Sequence, residues 1–106
     1  MSSLPITFQL GVAFSIFIIG LYILLAKKNI LRIILGIETM LSGCNIAIIS
    51  IGSRLAQNGV DPLAQSIVII SIAIGAGVAA LAVSLSVLAY RKFGTLDITK
   101  LSELRG

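Results

Sequence analysis

Glu38 is the residue in this sequence most suited to chemistry, because it is the only acidic side chain inside a long apolar run. It lies eight residues after Ile30, where that run begins. A helix would therefore carry it about 12 Å into a bilayer, at about 1.5 Å per residue. A charged side chain at such depth costs at least about 2.5–3.5 kcal/mol, and low polarity favours the uncharged acid. A carboxyl group whose charged and uncharged forms are close in free energy can take up and release a proton. We therefore predict proton transfer at Glu38.

Two further polar residues share a helical face with Glu38, since Ser42 follows it by four positions and Asn45 by seven. Such a face can hold hydrogen-bonded water or polar groups of a partner, but it cannot meet lipid unpaired. Two other interpretations remain open. The face could be a polar tie between helices without a transport role, or Glu38 could be the counter-charge for a cation or ligand.

Basic residues lie at the mouth of the same run, namely Lys27, Lys28 and Arg32. They could hold an anionic group or alter the electric field at Glu38. The alternative is that they only anchor the helix end and fix its orientation, as basic residues beside apolar runs commonly do.

A zinc, haem or iron–sulfur site cannot be assembled from this composition, because the chain has one cysteine and no histidine. We expect no cofactor to be bound by this chain, so any electron transfer must take place in other chains. The net charge of +4 arises from basic residues that flank apolar runs. That distribution is typical of topology determinants and predicts the lipid bilayer, not nucleic acid, as a partner.

The elements that position Glu38 are predicted from three apolar runs, at residues 6–26, 30–52 and 64–90. Apolar residues make up 58% of the chain, charged residues only 11%, and the mean hydropathy is +1.12. Each run exceeds the length of about 20 residues that a helix needs to cross a bilayer. We therefore predict an all-α integral membrane protein with three transmembrane helices in a single membrane domain, residues 1–106, ending in a tail at 91–106.

The orientation follows from lysine and arginine, which concentrate in the first loop and at the start of the tail. The positive-inside rule then predicts the N-terminus outside and the C-terminus cytoplasmic, in a multi-pass protein of the cell (plasma) membrane. The first loop is short, which favours antiparallel packing of the first two helices. Asp61-Pro62 is typical of a helix start, with Asp61 as the N-cap. Spaced apolar residues in the tail predict a short amphipathic segment.

Small residues recur every four positions in the third run, which predicts close packing of this helix against protein. The rows are Ser71, Gly75 and Ala79; Ala73 and Gly77; and Ala76, Ala80 and Ser84.

Several motifs resemble the smallest core membrane subunit of complex I, the chain called K or 4L. The resemblance covers nearly the whole chain. It is carried by the stretches Lys27-Lys28-Asn29-Ile30-Leu31-Arg32 and Gly36-Ile37-Glu38-Thr39-Met40-Leu41, by Asn45, by Gly94-Thr95-Leu96-Asp97, and by the ending Leu101-Ser102-Glu103-Leu104-Arg105-Gly106.

This resemblance implies a membrane-arm subunit of a complex I-like, proton-translocating dehydrogenase linked to NADH, deazaflavin or ferredoxin, with electrons passing to a quinone-type carrier. Glu38 matches the first of the buried carboxylates that such subunits contribute to a hydrated axis along the membrane arm. The implied partners are other membrane-arm subunits, including antiporter-like ones. Flavin, iron–sulfur clusters and the quinone-type carrier would lie in partner subunits.

One position departs from that family, because Val78 stands where a second glutamate is usual and the third run contains no acid. The third run is also similar to the C subunit of multisubunit sodium/proton antiporters, through Asp61-Pro62-Leu63-Ala64-Gln65, Val68, Ile72, Ile74 and Gly75. Two alternatives therefore stand beside the dehydrogenase reading: an antiporter C subunit with no redox partner, and a purely structural scaffold.

Overall fold

The computed structural model describes residues 4–26, 28–56, 59 and 61–103. This part of the chain forms three long α-helices and one short one. They are α1 (Ile6–Ala26), α2 (Ile30–Leu55), α3 (Pro62–Phe93) and α4 (Ile98–Glu103).

The three long helices are apolar and long enough to cross a membrane, which confirms the predicted fold class. At about 1.5 Å per residue they measure about 32, 39 and 48 Å, against a hydrocarbon core of about 30 Å. The first helix has the predicted bounds, α2 extends beyond the predicted end, and α3 extends beyond the predicted run at both ends.

Glycines allow α1 and α2 to pack backbone against backbone as an antiparallel pair. A Cβ atom added at Gly43 would lie 2.7 Å from the carbonyl oxygen of Ala13 and 2.9 Å from the amide nitrogen of Phe17. One added at Gly20 would lie 2.8 Å from the carbonyl oxygen of Gly36. No side chain fits in such a gap. The residues of α2 that face α1 are therefore small, and they recur at every seventh position: Gly36, Gly43 and Ser50.

A second row on α2, again at intervals of seven, consists of Glu38, Asn45 and Gly52, and its first and last members lie against α3. A Cβ atom at Gly52 would lie 2.6 Å from the Cβ atom of Ala64, at the start of α3. The main contacts of α3 are with α2, so α2 lies between the other two long helices. Most side chains of α3 are exposed in this chain.

Local hydrogen bonds set the helix ends. The side chain of Asn29 caps α2 by accepting from the amide of Leu31 at 2.9 Å. Asp61 caps α3 as predicted, by accepting from the amide of Leu63 at 3.1 Å. Gly94 ends α3 in the left-handed conformation, with φ of 73°, which glycine adopts without steric cost.

The tail folds back onto the first loop. The amide of Ile30 donates to the carbonyl oxygen of Leu96 at 3.2 Å, and the amide of Ile98 donates to that of Lys28 at 2.9 Å. These two bonds form an isolated antiparallel bridge, after which the tail forms α4. The first loop and the tail therefore lie at the same end of the molecule. Which side of the membrane this end faces stays a prediction.

Candidate functional site

Glu38 points from α2 into its interface with α3. A Cβ atom added at Gly75 would lie 3.4 Å from Oε1 of Glu38, 3.7 Å from Oε2 and 3.8 Å from Cδ1 of Leu41. Gly75 is buried and Glu38 is half-buried. The carboxyl group therefore lies against α3 at a position where the lack of a side chain leaves room for it.

The site lies well inside both helices. Glu38 is about 12 Å along α2 from its first residue, and Gly75 is about 20 Å along α3 from its first residue, at about 1.5 Å per residue. Within the described part of the chain, no hydrogen bond or ion pair involves the Glu38 carboxyl group. An unpaired charge is costly at such a depth in a bilayer, so an ionised Glu38 would need water or polar groups of a partner beside it.

The two polar neighbours differ in how they relate to the carboxyl group. Asn45 is half-buried and lies on the same row of α2 as Glu38, two turns further along. Ser42 is exposed, and its hydroxyl donates to the backbone carbonyl of Glu38 at 3.0 Å, a bond to the preceding helical turn. The hydroxyl is thus occupied by the backbone, and the row that meets α3 contains Glu38 and Asn45 without Ser42.

The predicted mouth charges lie away from the carboxyl group. Lys28 is exposed just before α2, and Arg32 is half-buried in the first turn of α2, about 9 Å along the helix axis from Glu38. The Nε atom of Arg32 is shielded from solvent and has no hydrogen-bond partner among the described residues. Lys27 lies outside the described residues.

Gly75 lies against the Glu38 carboxyl group but was not among the site residues predicted from the sequence. Its signal is present in the sequence as a member of a small-residue row on α3, although such a row does not show which member meets an acid. Val78, at the position of the usual second glutamate, is one turn further along α3 and 60% exposed. Valine cannot ionise, and α3 contains no other acidic residue, so this helix supplies no second carboxyl group.

Comparison with known proteins finds relatives that share one name and one family. Residues 8–106 match the family described as NADH-ubiquinone/plastoquinone oxidoreductase chain 4L. The chain is 35% identical over 106 residues to NADH-quinone oxidoreductase subunit K of Pseudomonas syringae pv. tomato, covering 100% of both chains. It is 37% identical to the subunit of the same name from Shewanella oneidensis, again with 100% of both chains covered.

A solved structure is also similar. It is a chain from the membrane-bound sulfane sulfur reductase, an archaeal respiratory membrane complex, with 41% sequence identity and a TM-score of 0.71. The match covers 82% of this chain and 90% of that chain.

Proposed function

Because this chain belongs to the NADH-ubiquinone/plastoquinone oxidoreductase chain 4L family, we propose that it is a small membrane-arm subunit of a complex I-like, proton-translocating respiratory complex. It is a multi-pass protein of the cell membrane. Its relatives are named as subunits of quinone oxidoreductases and of a respiratory membrane complex. These names support the redox-complex reading over the antiporter alternative.

The observation that carries a role in proton transfer is the position of the Glu38 carboxyl group. It lies in the middle part of α2, against Gly75 of α3, without a hydrogen bond or ion pair to any described residue. A residue that served only to tie α2 to α3 would be expected to pair with a donor on the other helix. Here the facing residue is a glycine, which offers no side-chain donor.

The proposed mechanism assigns one step to this chain. The Glu38 carboxyl group accepts a proton from one side of the α2–α3 interface and releases it to another. Gly75 keeps the space beside both carboxylate oxygens free of a side chain. Asn45, on the same row, can donate or accept a hydrogen bond along that interface. The next ionisable group must come from a neighbouring subunit, because Val78 cannot ionise.

The remaining chemistry is assigned to partners. We assign flavin, iron–sulfur clusters and a quinone-type carrier to other subunits of the complex. For the iron–sulfur clusters this agrees with the described residues, among which no group of three metal-ligating side chains exists. Much of the exposed apolar surface of α3 before Ser86 would contact other membrane-arm subunits, antiporter-like subunits among them. The chain has no catalytic role by itself.

The test is Glu38→Gln in the assembled complex, with proton pumping and electron transfer measured on the same preparation. Glutamine keeps the volume and the hydrogen-bonding capacity but cannot ionise. We expect the number of protons pumped per electron to fall strongly. Glu38→Asp is the matched control, because it keeps an ionisable carboxyl group on a side chain shorter by one methylene, and should retain a substantial part of the pumping.

Three outcomes can be told apart. Glu38→Gln that assembles and pumps like the wild type would show that Glu38 is a structural tie, which overturns the proton-transfer role. Equal loss in the glutamine and aspartate variants would indicate a requirement for side-chain length instead of ionisation. Failure of the wild-type chain to co-purify with redox subunits would contradict its membership of a respiratory complex.

A further inference from the structure

An apolar groove lies at the end of the molecule where the tail meets the first loop. It is centred near Ser86, about 36 Å along α3 from the first residue of that helix, and is therefore distant from the Glu38 site. Its volume is about 360 Å³, and three segments form its walls: the start of α2, the end of α3 and the tail. The lining residues are Leu31, Ser86, Val87, Tyr90, Arg91 and Leu96. Leu96 is fixed in this wall because its carbonyl oxygen accepts from the amide of Ile30.

The buried part of the groove wall is almost entirely apolar. Of the polar side chains that line the groove, Ser86 is only 2% exposed, whereas Tyr90 and Arg91 are exposed. The Ser86 hydroxyl donates to the carbonyl oxygen of Ala82 at 2.7 Å. The groove therefore suits a hydrocarbon chain, since a polar ligand group placed there would lose its hydrogen bonds to water.

The mouth of the groove is basic. Arg91 is exposed at the end of α3 and lies about 7.5 Å along the helix axis from Ser86, at about 1.5 Å per residue. Lys28 is exposed in the first loop. The antiparallel bridge holds this loop against the tail segment that contains Leu96. By sequence, seven of the eight lysines and arginines lie in the first loop, the first turn of α2 and the segment after Tyr90, against two acids in those segments.

We propose that this groove binds an anionic phospholipid, with an acyl chain against the apolar walls and the phosphate group held by Arg91. An arginine guanidinium group matches a phosphate with two parallel hydrogen bonds, and a basic pocket between transmembrane helices attracts anionic headgroups. The charge at the mouth selects an anionic lipid over a zwitterionic one. The distance between Arg91 and Ser86 allows the first part of the acyl chain to lie inside the groove.

The experiment uses the purified, intact complex and native mass spectrometry of lipid retained from mixed micelles. The probes are phosphatidylglycerol and, as the zwitterionic comparison, phosphatidylcholine. We expect Arg91→Gln to weaken phosphatidylglycerol binding at one site by about fivefold or more, with little change for phosphatidylcholine. Arg54→Gln is the matched control, because Arg54 is an exposed arginine at the opposite end of α2 and should leave lipid binding unchanged.

A second variant tests the groove itself. Val87→Phe fills the apolar part and should reduce retention of phosphatidylglycerol while Arg91 is intact. Wild-type retention in both Arg91→Gln and Val87→Phe would overturn the proposal. So would a photoreactive residue at Leu96 that cross-links only to a neighbouring polypeptide, because a protein segment would then occupy the groove. Arg91→Lys keeps the charge and should bind more tightly than Arg91→Gln.

Discussion

Gly75→Ala adds a single methyl group at the point where α3 meets the Glu38 carboxyl group. Its Cβ atom would lie 3.4 Å from Oε1 and 3.7 Å from Oε2, both ordinary van der Waals distances. The two helices therefore need not move apart. The methyl group would instead cover one side of the carboxyl group with an apolar surface and exclude any hydrogen-bond donor there.

The expected magnitude follows from the loss of one such donor. A hydrogen bond to a charged group contributes about 1.5–3 kcal/mol, which corresponds to roughly a 10- to 150-fold change in a rate or equilibrium. If proton transfer passes through ionised Glu38, Gly75→Ala should slow coupled turnover by about tenfold or more. The stability of the chain should change little, since the added atom makes no close contact.

The assay is the rate of proton uptake into proteoliposomes containing a known amount of the assembled complex. Gly77→Ala is the matched control, because this glycine is two positions along α3, exposed, and has no atom within 4 Å of an added Cβ. Equal rates of proton uptake for Gly75→Ala, Gly77→Ala and the wild type would refute the reasoning, since the space beside the carboxyl group would then have no role in proton transfer.

Two further predictions concern packing and the tail. Gly43→Ala should destabilise the α1–α2 pair by about 1–3 kcal/mol, because its Cβ atom would meet backbone atoms of α1 at 2.7 Å; Gly11→Ala, with nothing within 4 Å, is its control in denaturant or thermal unfolding in detergent, and equal midpoints would contradict the tight packing. Asp97→Ala removes the acceptor of a 2.8 Å hydrogen bond at the start of α4. Loss of such a cap costs about 1 kcal/mol, so hydrogen exchange at the Ile98 amide should become roughly fivefold faster; unchanged exchange would show that the bridge does not depend on this cap.

The three long helices could be predicted from the sequence because a bilayer imposes a length and a composition that each run meets. Asp61 could be identified as a cap for a similarly local reason, since its side chain bonds the amide two residues on. Glu38 could be selected because an acid within an apolar run is rare. These inferences need only neighbours along the chain.

Contacts between segments that are distant in the sequence were harder to predict. The α1–α2 contact has a signal in the sequence, Gly36, Gly43 and Ser50 at every seventh position, but this row competes with the more numerous small residues of α3. Of those, Gly75 lies in the interface with α2, whereas Gly77 is exposed. The bridge between the first loop and the tail uses backbone groups, which every residue carries, so no side-chain pattern predicts it.

That bridge has a consequence for how the protein is made. The first loop leaves the ribosome long before the tail, and the two can meet only when α3 has crossed the bilayer in the sense opposite to α2. A chain in which α3 failed to insert would leave the tail on the other side of the membrane, and the amides of Ile30 and Ile98 would lose their bridge partners. The bridge can therefore form only after α3 has crossed the membrane.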